Sequence, residues 1–279
     1  KPKIETRHLD IDGKKVSGYD TIHNLPIARA LKFVRELDRS NMAEGRRLRC
    51  GASCGEWEPM IEDQGFKIYY YRTHDEGLAD QLISVWAPDA KDRHGCIATN
   101  IRKWPAIPDA FVDLGKKVEA LYGRSFHKTY FLGQVQVSKM ECKNPKTLPM
   151  RIEHNRYSGN RLAPHHDHAR EGEVIVTILL AEPIIFRLFN GPRIAEETLL
   201  SPGSAYCMRC PGGHYFDAEN RNVSCQMLLC PRHGLRHGIE CAHSPDCDGP
   251  HYPDSATARL PRRRGPRFAA VLRYFKRKG

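Results

Sequence analysis

The chain has 279 residues, 40% of them hydrophobic, enough for one large domain or for a core domain with an extension. No run of about 18 apolar residues is present to make a membrane-spanning helix, and the longest apolar stretch, Val174 to Leu180, is only strand-sized. The 44 Lys and Arg against 33 Asp and Glu leave a net charge of +11, which favours a polyanionic partner, nucleic acid first, while ten cysteines in a chain this long do not suggest a disulfide scaffold.

The first third reads as helix and loop. Apolar residues from Leu25 to Leu37 recur close to a 3.6-residue period, which predicts an amphipathic helix over Asn24 to Leu37. Arg46 to Gly55 reads as a basic loop containing glycine and cysteine. Phe66 to Tyr71 has strand composition. Pro108 to Tyr122 predicts a second helix, opened by its proline and closed by Gly123.

The character then changes to short, β-rich segments: Tyr130 to Val137, Met150 to His154, Val174 to Leu180, Ile184 to Phe189, Ser204 to Met208 and Arg267 to Phe275. Turn signals separate them, among them Asn190-Gly191-Pro192 and Ser201-Pro202-Gly203. Helices followed by many short strands predict an α+β protein: a β-sandwich or jelly-roll core supported by N-terminal helices on one side. The segment from about Ala218 to Gly265 has weak periodicity and much Pro, Gly, Cys and His, so it reads as an insertion (218–265) between two strands. The chain starts with lysine, the reading expected of a fragment or processed chain whose targeting signal would lie further upstream.

Asn155 to His168, NRYSGNRLAPHHDH, sets three histidines and an aspartate side by side. On a strand end, His165 and Asp167 share one face and His166 points away. An imidazole and a carboxylate on one face, joined by a distant histidine, make the two-histidine, one-carboxylate set of non-haem Fe(II) oxygenases. Asn155 and Tyr157 also stand two apart. Arg267 and Arg273, six apart around an apolar Phe268 to Leu272, share a face if that segment is a strand. Two guanidiniums, an amide and a phenol suit a small dicarboxylate.

These motifs, taken in order, resemble the AlkB-like Fe(II)/2-oxoglutarate dioxygenases. The block NRYSGNRLAPHHDH is similar to their N-x-Y-x-x-G…H-x-D-H, and RFAAVLR to their closing R-x-x-x-x-x-R strand. LLSPGSAYCM is similar to the strand before their second metal histidine, and WPAIPDAF to the entry into the helix before the jelly roll. The resemblance covers about Trp104 to Phe275. It implies a double-stranded β-helix core at 104–279 behind an N-terminal extension at 1–103 that carries helices and a substrate-recognition lid. It implies His165 and Asp167 as iron ligands, and Asn155, Tyr157, Arg267 and Arg273 as 2-oxoglutarate contacts. Relatives place a polar residue two after the first arginine, where this chain has Ala269.

The third ligand is His237, in Leu-Arg-His-Gly-Ile, or His214, in Gly-Gly-His-Tyr-Phe. The His-Gly-Ile context favours His237. The fat-mass-and-obesity-associated branch likewise doubles the histidine of His-His-Asp and carries an insertion before its last metal histidine.

Six cysteines crowd between Cys207 and Cys247. Cys230, His233, Cys241 and Cys247 form a candidate structural zinc site, with free or buried thiols as the competing account.

The resemblance implies oxidation, by demethylation or hydroxylation, using Fe(II), 2-oxoglutarate and oxygen. With the positive charge, methylated or alkylated bases of DNA or RNA become the expected substrate, in an intracellular protein of nucleus or cytoplasm assumed to be monomeric. Trp57, Tyr69, Tyr70, Tyr71 and Trp86 are candidates for a base pocket, and Arg46, Arg47 and Arg49 for phosphate contacts. An ordinary strand and a solvated loop are the competing accounts of these two groups. A protein substrate, or a non-catalytic basic module holding zinc, are the alternative functions.

Overall fold

The computed structural model describes residues 1–11, 13–44, 66–86, 101, 104–140, 157–158, 161–167, 171–210, 234–241 and 265–278. Among them, seven strands form one antiparallel sheet and five a second. The large sheet has the order β1 (Lys3–Ile11), β2 (Lys14–His23), β10 (Ala205–Arg209), β7 (Val174–Ala181), β12 (Arg267–Lys276), β4 (Tyr130–Met140), β3 (Phe66–Arg72). The small sheet runs β5 (Tyr157–Ser158), β6 (Arg161–His165), β11 (Arg236–Cys241), β8 (Ile184–Asn190), β9 (Arg193–Leu200). The chain passes from β4 to β6, back to β7, across to β8 and β9, back to β10, across to β11 and home to β12. That alternation between two facing sheets is the double-stranded β-helix, the jelly roll expected from the sequence.

Two cores follow from the alternation of side chains along each strand. One fills the space between the sheets, with Ile175, Leu179, Tyr206, Met208 and Ala269 facing Phe186, Leu188, Leu235 and Ile239. The other lies on the outer face of the large sheet. There Val176, Ile178, Cys207, Ala270 and Leu272 pack under α1 (Ala28–Glu44) and α3 (Asp109–Tyr122). Phe33 of α1 meets Phe111 of α3 edge-on, centroids 5.6 Å apart. Strand β7 is covered on both faces, which is why Val174 to Leu180 is apolar at every position but Thr177. A smaller cluster of Leu82, Phe131 and Phe275 seats α2 (Glu76–Trp86), and α4 (Arg124–Thr129) leads into β4.

Several sequence expectations hold with adjusted ends. The second helix starts after Pro108 and stops at Gly123, whose φ of 86° requires glycine. The first helix begins at Ala28, four residues late, because Asn24 takes a φ of 60° and Pro26 follows it, and it runs on to Glu44. Gly191, with a φ of 60°, makes the tight turn between β8 and β9.

The opening segment differs from its reading as helix and loop: residues 3–23 form the β1–β2 hairpin, and β2 zips onto β10. The apolar residues of β1 are sparse: Ile4 and Leu9 stand five apart, so they face different cores and neither face shows a run of apolar alternation. Buried Asp20 locks the hairpin down. It accepts hydrogen bonds from Thr6 Oγ1 at 2.7 Å, Tyr122 Oη at 2.7 Å and Arg209 Nε at 3.1 Å. Lys139 of β4 and Asp38 of α1, both largely buried, pair at 2.9 Å and tie that helix to the sheet. The stretch read as an insertion contains a core strand, β11. No described helix is long and apolar enough to cross a membrane.

Candidate metal centre

Strand β6 ends at His165 and the chain leaves it in extended form, which carries Asp167 onto the same side and leaves His166 exposed. Strand β11 pairs with β6 so that His237 stands directly opposite His165. Cross-strand partners share a face and bring their side chains together, and here the two rings lie 4.3 Å apart. A register shift beside this pair bends β6 at Ala163-Pro164, as bulges near functional sites commonly do.

His165 Nε2 lies 3.5 Å from Asp167 Oδ1, and His237 Nε2 lies 3.6 Å from Asp167 Oδ2. One potential ligand atom from each of the three residues falls within 4.8 Å of the others. Atoms 3.5 Å apart can both lie about 2.1 Å from one point, the usual metal–ligand distance for imidazole and carboxylate. All three side chains are at most 13% exposed, so the cluster is sheltered rather than a surface accident. Two neutral donors and one anion fit a divalent transition metal and leave part of its coordination sphere open.

Facing this cluster is the inner row of β12. Arg267 and Arg273 are 2% and 4% exposed, and both project between the sheets with Ala269 and Val271. They stand six positions apart on the strand, about 20 Å between Cα atoms, a gap that two long side chains shorten from both ends. Burying two guanidiniums is expensive without anions. Arg273 Nη2 lies 3.4 Å from Glu171 Oε1.

Tyr206 is the residue that sequence reasoning passed over. It stands opposite Thr177 on β7, hydrogen-bonds it, and stacks on Phe186 at 4.0 Å. Burial, with Asp167 adding to it, pushes its hydroxyl up to about 12, against the pull of Arg267 and Arg273. Tyr206 therefore stays a neutral donor between the metal ligands and the arginines. The available signal was the alternation in Ser204 to Met208, which puts Tyr206 and Met208 on one face.

The structure thus unites His165, Asp167 and His237, and sets Arg267 and Arg273 on one inner face. Asn155, His214, Cys230, His233 and Cys247 lie outside the described residues, as do Trp57, Arg46, Arg47, Arg49 and His168. Tyr157 is placed by its backbone in β5, at the edge of the small sheet beyond β6, and Cys241 closes β11. Tyr69, Tyr70 and Tyr71 lie on β3. Tyr71 belongs to the outer core, and Tyr70, on the inner face, stacks on Trp104 with centroids 4.7 Å apart. Trp86 ends α2.

Fold and donor set together define a double-stranded β-helix that carries a two-histidine, one-carboxylate face between its sheets. Among solved structures the chain is similar to OsALKBH1, with a TM-score of 0.45 and 12% identity over 96% of this chain and 99% of that one. It is similar to JOX2 in complex with 2OG, Fe and JA, with a TM-score of 0.42 and 11% identity over 93% and 68% of the two chains. A third likeness is to YcfD, a ribosomal oxygenase from Escherichia coli, with a TM-score of 0.25 and 9% identity over 52% of this chain and 23% of that one. No family model matches the sequence, and no curated protein does.

Proposed function

We propose that this chain is an Fe(II)- and 2-oxoglutarate-dependent dioxygenase that oxidises, and thereby demethylates, methylated or alkylated bases in nucleic acid. The observation that carries the enzyme class is the meeting of His165, Asp167 and His237 within one metal-binding radius, opposite two buried arginines. The +11 charge supports the choice of nucleic acid over other substrates.

Each side chain has a task. His165 and His237 present neutral imidazole lone pairs, and Asp167 supplies the anionic ligand. Arg267 and Arg273 match the two negative ends of 2-oxoglutarate by charge-assisted hydrogen bonds. Tyr206, held protonated by burial, donates to the diacid or to oxygen atoms beside it. The apolar walls of Ile175, Met208, Phe186 and Leu188 exclude water around these groups. Iron bound there supplies the redox chemistry that splits oxygen and attacks a substrate C–H bond. One oxygen atom ends in succinate as 2-oxoglutarate loses carbon dioxide, and the other ends in the substrate as a hydroxyl. On an N-methyl group the resulting N–CH2OH releases formaldehyde and leaves N–H.

The test is anaerobic loading with Fe(II), followed by oxygen and 2-oxoglutarate, with succinate and formaldehyde measured. Methylated oligonucleotides should yield both, and His237→Ala should yield neither. Formaldehyde from methylated peptides alone would move the substrate to protein. A protein that binds iron but forms no succinate would end the dioxygenase reading.

A further inference from the structure

Directly across from Arg273, on the neighbouring strand and the same inner face, stands Gln134. Its residue is 0% exposed, and among the described residues neither amide atom, Nε2 or Oε1, meets a hydrogen-bond partner. Burying an amide unsatisfied costs about 1–3 kcal/mol. Folds seldom keep such a group unless something outside the chain completes it. Its cross-strand neighbours on that face are two arginines, Arg273 of β12 and Arg72 of β3, while Val135 and Val137 of the same strand belong to the outer core.

The position says what completes it. Strand β4 borders β12 on the side away from β7, so Gln134 flanks the metal-facing row at Arg273. Opposite residues on paired strands have Cβ atoms about 5 Å apart, so an anion gripped by Arg273 comes within reach of this amide. We propose that Gln134 is a cosubstrate-binding residue: its Nε2 donates to the carboxylate held by Arg273, and its Oε1 accepts from that guanidinium. This rests on the 2-oxoglutarate reading above and adds to it a contact that the motifs did not indicate. It also places on β4 a role that the resemblance gave to the Asn155–Tyr157 segment, whose described part, β5, borders β6 in the other sheet.

The experiment uses the full chain loaded with Mn(II), which occupies the site without turnover. Binding of 2-oxoglutarate is measured by calorimetry, and ligand-free melting is recorded separately. Gln134→Leu should weaken 2-oxoglutarate roughly tenfold while leaving the ligand-free melting temperature unchanged or raised, because the orphaned amide is gone. Gln134→Glu, of the same size, should weaken binding further by setting a negative charge beside the carboxylate. Wild-type affinity in both variants, with wild type binding normally, would overturn the proposal and leave the function standing. A lower ligand-free melting temperature in Gln134→Leu would show that the amide is satisfied without ligand, and would also overturn it. A wild-type protein that takes up Mn(II) but no 2-oxoglutarate would bring down the functional reading, and this proposal with it.

Discussion

His165 and His237 face each other across the β6–β11 ladder, 72 residues apart in sequence and 4.3 Å apart between ring centroids. Neither can hold a metal alone, and Asp167 sits 3.5 and 3.6 Å from their Nε2 atoms. Replacing His165, Asp167 or His237 by alanine should drop bound iron or manganese from about one per chain to near background, since three ligands are the minimum for this set. Exposed His166→Ala should keep its metal. Elemental analysis of the four purified variants decides this, and full metal retention in His237→Ala would reopen the choice of His214.

The arginines predict a separate loss. Arg273→Met and Arg267→Met remove a buried charge each, so 2-oxoglutarate should bind on the order of 100-fold more weakly, a loss of a charge-assisted contact of about 3 kcal/mol. Metal content should stay near wild type in both. Lysine at either position should rescue only part of the affinity, because it lacks the planar fork.

Tyr206→Phe tests the inner hydroxyl. Losing one neutral donor should raise the dissociation constant for 2-oxoglutarate about five- to tenfold, with iron uptake unchanged. Phenylalanine preserves the stack on Phe186, so the melting temperature should move little. Unchanged affinity would confine Tyr206 to packing.

How much of this was legible beforehand depends on how local the signal is. Strands β7 and β12 and helix α3 announced themselves because an apolar run or period lies within one short segment. Strand β9 escaped notice because it is an edge: Ile194 and Leu199 are each 42% exposed, and its polar residues interrupt any alternation. Strand β11 was invisible to periodicity, since what fixes it is its pairing with β6 and β8, distant in the chain. His237 was found through the His-Gly-Ile resemblance rather than through its surroundings. Gln134 could not be singled out at all, because a lone glutamine in a strand shows no burial and no register until the sheet is assembled.

Alkaline pH should unfold the protein for a definite reason. Burial pushes the hydroxyls of Tyr19, Tyr71 and Tyr206 up to about 12 from 10.0, and the thiol of Cys207 to about 12 from 9.0. Well below pH 9 all four hold their protons in folded and unfolded chains alike, and their contribution to stability is complete; the unfolded thiol of Cys207 is the first to ionise as pH nears 9. As pH rises from 9 towards 12 the unfolded chain sheds protons that the fold retains, so stability falls. Melting temperature measured at pH 8, 9, 10 and 11 should decline throughout, steepening above pH 10. Tyrosinate absorbance from the buried rings should appear together with unfolding rather than before it.

The Lys139–Asp38 pair gives a stability forecast away from the site. Asp38→Ala removes the carboxylate paired with a buried ammonium, which costs about 3 kcal/mol. For a domain of this size the melting temperature should fall by roughly 6–12 °C. Metal uptake at low temperature should survive, because the pair lies on the opposite face of β4 from the centre.

The docking of β2 on β10 carries a practical meaning for anyone trimming this protein. Strand β10 bears Tyr206 and Met208, and among the described residues its far edge is covered by the opening hairpin, locked there through Asp20. Cutting away the first twenty-three residues would expose a bare row of amides and carbonyls, inviting association with other chains. It would also loosen the strand that positions the inner hydroxyl. The N-terminal segment is masonry in the chamber wall, and a shortened chain that aggregates or loses its metal would be failing at that seam.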